Sequence, residues 1–280
     1  MKLSDEYCIV VVLYKMDVEE CPSVQSLLQC TEYLQRSRVI LWDNSPVGVP
    51  AEKQAWLKKQ FSLFSYTHTP SNLSLSSIYN QVCSENKGFG YLILLDQDSR
   101  FGTDYFKQLN KAKQSHPKID LFAPAIYHNS KLVSPGLYYA FKGKFRSSIQ
   151  SGVHSTQNMC IITSGICISF QYLHSNFTGF DERLRVYNID TFFSLQFRKH
   201  RSEFFVFHCA FEHSLSQYEE EEFAARMRRF ADYRTSLLIL TQNYPLHIKL
   251  LGKLYLFYEA LRLRMKNVWH VGVVAKQEKL

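Results

Sequence analysis

The sequence predicts an α/β fold built on a mostly parallel sheet. Three observations carry that expectation. First, short apolar runs of strand length recur between residues 8 and 124, such as Cys8-Ile-Val-Val-Val-Leu13 and Tyr91-Leu-Ile-Leu-Leu95. Strands covered on both faces read as continuous apolar runs rather than alternating ones. Second, segments with helical spacing separate these runs, as in βαβ units. Third, the Tyr91 run ends in Asp96-Gln97-Asp98-Ser99. Ligand sites in open α/β sheets lie outside the carboxyl ends of the strands.

Cys8–Leu13 is a buried first strand that ends at Tyr14-Lys15. Pro22 to Leu34 has apolar residues at helical spacing, and Pro22 suits a helix start. Val39–Trp42 is a second strand, closed by the turn-forming Asp43-Asn44-Ser45-Pro46. Ala51–Gln60 reads as a helix, Phe61–Tyr66 as a third strand, and Asn72–Cys83 as a helix leading to the Tyr91 strand. Phe101–Ser115 is amphipathic, and Ile119–Pro124 is a further strand. Residues 127–158 are polar and aromatic without a clear period, and read as loops and short strands.

Met159–Phe170 is an apolar run broken by Ser164-Gly165. Glycine inside a strand pattern suggests a bulge or the close approach of a ligand. Phe177–Glu182 reads as a turn, and Asp190 stands where an N-cap would open the next helix. Phe204–Phe207 is a short aromatic strand with His208 and His213 beyond it. After Tyr218 the character changes. One helical segment carries the acidic run Glu219–Glu222 and then Arg226, Arg228, Arg229 and Arg234. Another, Pro245–Lys266, interleaves Lys and Arg with Leu, Tyr and Phe.

Composition narrows the function. The chain has only 11 glycines in 280 residues, with neither G-x-G-x-x-G nor G-x-x-x-x-G-K, so the common cradles for NAD and ATP are missing. A net charge of +8 suits nucleic acid, anionic lipid or a phosphorylated substrate alike. No helix-turn-helix, zinc-finger or RNP pattern supports nucleic acid. The seven cysteines show no C-x-x-C and read as free thiols in a reducing compartment. With no signal-like start and no apolar run of ~18 residues, the expectation is a cytoplasmic protein.

Asp96 and Asp98 are the leading candidates for chemistry. In an extended D-x-D both carboxylates point to one side. Hard oxygen donors of this kind suit Mg²⁺ or Mn²⁺ that also holds substrate phosphates. Taken alone, the stretch is equally a strand end turning through Asp and Ser.

The order of these pieces resembles the GT-A fold of glycosyltransferase family 2: a strand ending at Tyr14, a strand ending at Asp43, a helix carrying Asn72 and Asn80, then LLDQDS, Ser164-Gly165, Gly179-Phe-Asp-Glu182, Asp190 and His213. The resemblance spans roughly residues 7 to 215, and LLDQDS is especially similar to the bacterial rhamnosyltransferase branch of O-antigen and surface polysaccharide synthesis. It implies a GT-A domain over 1–215 and a helical extension over 216–280. It implies a donor site in which Tyr14, Asp43, Asn72, Asp96 and His213 bind a nucleoside diphosphate sugar. Asp98, with Asp96, would bind Mg²⁺ or Mn²⁺, and Ser164 and Gly165 would shape the acceptor pocket. Asp190 would be the general base of an inverting transfer; a purely capping Asp190 is the alternative. The donor implied is dTDP-rhamnose or a UDP-hexose, and the acceptor a glycan on a lipid diphosphate.

The chain departs from the family pattern at Leu73-Ser74, Tyr187, Phe192 and Gln196. These departures lie by the acceptor and the base. Three other readings remain: a nucleotidyltransferase, a basic nucleic-acid-binding α/β protein and a non-catalytic relative. The first is opposed by the absence of glycine in Leu13–Val18. The basic, aromatic helix near the C-terminus suits either a packed helix with a charged face or peripheral contact with the inner membrane.

Overall fold

The computed structural model describes residues 6–213 and 223–277, with side chains as far as Met265. In chain order, β1 (Tyr7–Leu13), α1 (Pro22–Leu28), β2 (Arg38–Asp43), α2 (Ala51–Gln60), β3 (Leu63–His68), α3 (Leu75–Glu85) and β4 (Tyr91–Asp96) form the first half. β5 (Arg100–Phe101), α4 (Thr103–Ser115) and β6 (Leu121–Pro124) follow. The middle is made of short strands: β7 (Ile126–His128), β8 (Lys131–Ser134), β9 (Gly136–Tyr139), β10 (Lys142–Lys144), β11 (Gly152–Ser155), β12 (Met159–Cys160) and β13 (Cys167–Ser169). Then come α5 (Phe170–Ser175), α6 (Ile189–His200), β14 (Glu203–Phe207), β15 (Phe211–Glu212), α7 (Phe223–Leu240) and α8 (Leu246–Gln277).

The central sheet has eight strands in the order β11-β14-β6-β13-β4-β1-β2-β3. Six run in one direction; β13 and β11 run against them. The expected mixed α/β architecture is therefore present. Alternate residues of β1 feed two apolar layers. Val10 and Val12 pack with α3 and α6, through Ile78, Tyr79, Phe193 and Phe197. Ile9 and Val11 pack with α1 and α4, through Val24, Leu27, Tyr105 and Phe106. This two-sided burial is why β1 and β4 carry no polar face.

Several boundaries differ from the sequence expectation for local reasons. The helix from Pro22 stops at Leu28; Cys30 N–H bonds back to Leu27 O, and a single 3₁₀ turn, Thr31–Tyr33, follows. Phe61 is the buried C-cap of α2 rather than a strand residue, its N–H bonded to Leu57 O, and β3 begins at Leu63. Ser74 caps α3, accepting from Ser77 N–H at 3.1 Å, which leaves Asn72 outside the helix with φ +52°. Ile119 N–H closes a turn on His116 O, and β6 starts only at Leu121. Met159–Phe170 is not one bulged strand: β12 and β13 belong to different sheets, and Phe170 opens α5.

Gly165 sits in the turn between them with φ +83°. What approaches it is the protein itself. A Cβ there would meet the Phe211 ring at 2.5 Å and Pro124 Cγ at 3.0 Å. Gly165→Ala is expected to destabilise the fold by about 1–3 kcal/mol from backbone strain alone, with overpacking in addition. Urea unfolding checks this, and an unchanged midpoint would contradict it.

Two helices follow where helical segments were expected, α7 from Phe223 and α8 from Leu246, and α8 continues to Gln277, past the expected end at Lys266. They pack on the sheet domain through Leu237, Leu240 and Leu256 against Tyr138, Phe192 and Leu195. The expected domain boundary at 215 and the acidic run Glu219–Glu222 lie outside the described residues. Among the described residues no helix is long and apolar enough to cross a membrane. All seven cysteines are free.

Candidate functional site

Register places the candidate residues in one row. Val12 of β1 lies between Trp42 and Asp96, and Leu13 lies beside Asp43. Asp43 and Asp96 therefore end the two strands that flank β1, at the same sheet edge and 53 residues apart in sequence. β15 pairs with β5, Phe211 opposite Phe101 and Glu212 opposite Arg100. That pairing delivers His213 to Ser99, at the far side of the same edge.

His213 Nδ1 lies 3.2 Å from Asp98 Oδ1 and 3.2 Å from Ser99 Oγ; its Nε2 lies 3.8 Å from Asp96 Oδ2. One donor atom from each of Asp96, Asp98 and His213 falls within 4.8 Å of the others. Two carboxylate oxygens and one imidazole nitrogen, converging from half-buried side chains, are a donor set that fits Mn²⁺ or Mg²⁺ with places left for phosphate oxygens and water.

Electrostatics agree with a site built for a cation. Burial pushes the Asp96 carboxyl up to about 6, with His213 opposing and the Asp98 and Asp190 charges adding. Burial also raises Asp190, against hydrogen bonds from the Asp190 and Thr191 N–H groups and the His213 charge. For His213, burial disfavours the imidazolium. The Asp98 hydrogen bond and the Asp96, Asp98 and Asp190 charges outweigh it, and the group is raised. Burial, with the neighbouring carboxylates adding, makes Asp96 hard to ionise until positive charge arrives. Asp190, in the first turn of α6, is near enough for its charge to act on Asp96 and His213. It is not the N-cap. That position is Asn188, in the left-handed region with φ +62°, whose amide instead donates to Ser236 Oγ on α7 at 2.8 Å.

The loop that carries the two aspartates is held from behind. The Asp96 N–H donates to Ser164 Oγ at 2.9 Å, and Ser164 and Ser99 share a hydroxyl bond of 2.7 Å. Ser164 is buried, as is the ring-lined Gly165, so both lie behind the aspartates and their polar groups are already used. Gly165 N–H donates to Leu94 O at 2.7 Å. Ser23, at the start of α1, donates its hydroxyl to the carbonyls of Asp96 and Ser99, and its N–H to Gln97 O. Gln97 reaches the other way and accepts from Tyr14 N–H at 2.7 Å. Below the site Tyr79 is kept neutral by burial and by the Asp96 and Asp190 charges, and bonds Thr163. Sequence reading missed Ser23, Ser99 and Tyr79. Only Ser99, inside the motif, carried any signal; the others arrive from distant segments.

The Tyr14 and Asp43 side of the edge opens on a cleft of about 450 Å³ between residues 15–18 and 45–50. Tyr14 is exposed at 38% and Lys15 stacks on its ring. Asp43 is buried and accepts from Ser45 N–H, Val49 N–H and Tyr66 Oη at 2.8–3.0 Å. A carboxylate has about four lone-pair directions, so one remains. Asn72 does not reach the cleft. Its Oδ1 accepts from Asn44 and its carbonyl from Arg185, which ties the start of α3 to the 183–187 segment. Asn80 holds the Gly179–Glu182 turn, bonding both N–H and C=O of Phe180.

No protein-family model matches the sequence, and no curated protein matches it. Solved structures do share the architecture. TarS of S. aureus superposes with a TM-score of 0.59 at 13% identity, over 87% of this chain and 41% of TarS. TarS 1–349 in complex with UDP-GlcNAc gives 0.56 at 12% identity, over 83% of this chain and 66% of that one. GalNAc-T7 with UDP, GalNAc and Mn²⁺ gives 0.59 at 12% identity, over 77% and 44%. The chain spans less than half of full TarS and of GalNAc-T7. The fold is thus the GT-A fold, and the likeness does not single out the rhamnosyltransferase branch within it.

Proposed function

We propose that this protein is a metal-dependent glycosyltransferase. It moves a sugar from a nucleoside diphosphate donor to a hydroxyl of a lipid-linked surface glycan, with inversion. The observation that carries this reading is the Asp96–Asp98–His213 cluster, set at the carboxyl edge of a GT-A sheet with the Asp190 charge acting on it. TarS is seen with UDP-GlcNAc and GalNAc-T7 with UDP and Mn²⁺. That favours a UDP-hexose over dTDP-rhamnose as the donor here.

Asp98, Asp96 and His213 hold the cation. When bound it supplies Lewis-acid stabilisation of the diphosphate leaving group. The cleft between residues 15–18 and 45–50 takes the nucleoside, with Tyr14 at its mouth. Asp43 sets the cleft wall and offers its remaining lone pair to the base or ribose. Asp190 takes the proton of the acceptor hydroxyl as that oxygen bonds to the anomeric carbon. The bond from that carbon to the diphosphate oxygen breaks on the opposite face. A carboxylate raised by burial is a better proton acceptor near neutrality than an ordinary one.

Melting temperature measured against UDP and dTDP, each with and without Mn²⁺, tests the donor site by mass action. Metal-dependent stabilisation by UDP is the expected result. No stabilisation by any nucleoside diphosphate would sink the proposal. Ser164→Ala removes the hydroxyl that both Asp96 N–H and Ser99 use. Loss of such a supporting contact is expected to lower Mn²⁺ affinity about 10–100-fold while the protein stays folded, as isothermal titration would show.

A further inference from the structure

Eight of the seventeen large hydrophobic side chains exposed among the described residues lie on α8. Leu246, Leu250, Leu254, Phe257, Leu261 and Met265 are 43–71% exposed and follow one another at intervals of three or four. At 3.6 residues per turn they fall within a stripe about 100° wide. This is not the packing face. The opposite side of the helix carries Leu256, which is buried, Gly252 against Phe141, and Tyr255, whose ring lies 5.6 Å from that of Phe141. α8 is therefore apolar twice over, once towards the protein and once away from it.

Charge borders the outer stripe. Lys249, Lys253 and Arg264 run along one side and Arg262 along the other. Between residues 246 and 265 the one acidic residue is Glu259, and it is paired with Arg262 at 2.6 Å. Arg234 of α7 joins Lys253 and Arg264 around a groove floored by Phe257 and Leu261. Basic side chains flanking an apolar stripe can extend to phosphate while their stems lie along hydrocarbon. A second copy presenting the same face would set cations against cations, since a two-fold contact matches a surface with itself. An anionic lipid surface complements both features.

We propose that α8 is an interfacial helix that docks the protein on an anionic phospholipid bilayer. Leu254, Phe257 and Leu261 enter the acyl boundary, and Lys249, Lys253 and Arg264 meet the headgroups. Asn188, the N-cap of α6, is bonded to Ser236 of α7, so the element carrying Asp190 is tied to the docked hairpin. Docking needs only this helix face, and it stands apart from the sugar-transfer reading, which the nucleotide measurements test separately.

The test is flotation of the full chain with vesicles of phosphatidylcholine, with and without phosphatidylglycerol. Binding is expected on the anionic vesicles, weakened about tenfold or more by omitting phosphatidylglycerol or raising the salt. The double variant Leu254→Ser/Phe257→Ser is expected to lose binding about tenfold or more, with its melting temperature and UDP response intact because both side chains are exposed. Lys249→Gln/Lys253→Gln/Arg264→Gln should do the same. Three results would overturn the proposal. They are no binding to anionic vesicles, binding that the Leu254/Phe257 variant keeps, or a dimer in light scattering that this variant dissolves in a protein that ignores vesicles.

Discussion

Asp98→Ala is expected to abolish metal-dependent binding of UDP and to lower kcat/KM for sugar transfer by about a thousandfold, roughly 4 kcal/mol of transition-state stabilisation. Asp98 Oδ1 sits 3.2 Å from His213 Nδ1, so one carboxylate both faces the cation position and orients the imidazole beside it. Its removal takes away a ligand and frees a second. Asp96 would be the one carboxylate of the cluster left to hold the ion, from a position where burial already disfavours its charge. The measurement is Mn²⁺ titration followed by UDP titration on the same protein. Chelation of the wild type should reproduce the variant. A variant that binds UDP with unchanged dependence on Mn²⁺ would remove the cluster from the mechanism.

Asp190→Asn is expected to reduce kcat by about 10²–10⁴-fold, the usual scale of losing a general base, with donor affinity within a few fold of the wild type. The amide oxygen of asparagine can still accept from the Asp190 and Thr191 N–H groups that bond the carboxylate now. The substitution therefore removes the proton acceptor and leaves the first turn of α6 in place. Separation of the two effects is what distinguishes catalysis from support: single-turnover rate falls while the UDP-induced rise in melting temperature persists. Loss of both would make Asp190 a structural residue of the site. An unchanged rate would exclude it as the base.

Much of the fold was legible because burial on two faces leaves a plain record. β1 and β4 read directly as unbroken apolar runs, and α2 was expected at its observed ends. The errors arose where local bonds overrode the pattern. Ser74 delayed α3, a 3₁₀ turn shortened α1, and an apolar run at 159–170 was divided among two sheets and a helix. Apolarity reports burial and not direction, so it could not show that chain reversal. Asp190 was expected at the cap position. The αL residue Asn188 took it, because Asn tolerates positive φ and Asp190 could then turn into the first helical turn.

By itself the sequence determined the class of fold and the strand that ends in Asp96-Gln97-Asp98. Each of these follows from a contiguous stretch, where residue type and period carry the information. Only the tertiary structure decided that His213 completes the cluster, that Ser23 and Ser164 hold the loop from behind, and that Asp43 is largely committed to its own cleft wall. Ser164, Ser23 and His213 lie 68, 73 and 117 residues away from Asp96. A side chain's share of a site depends on sheet order and register, and these come from packing across the whole domain.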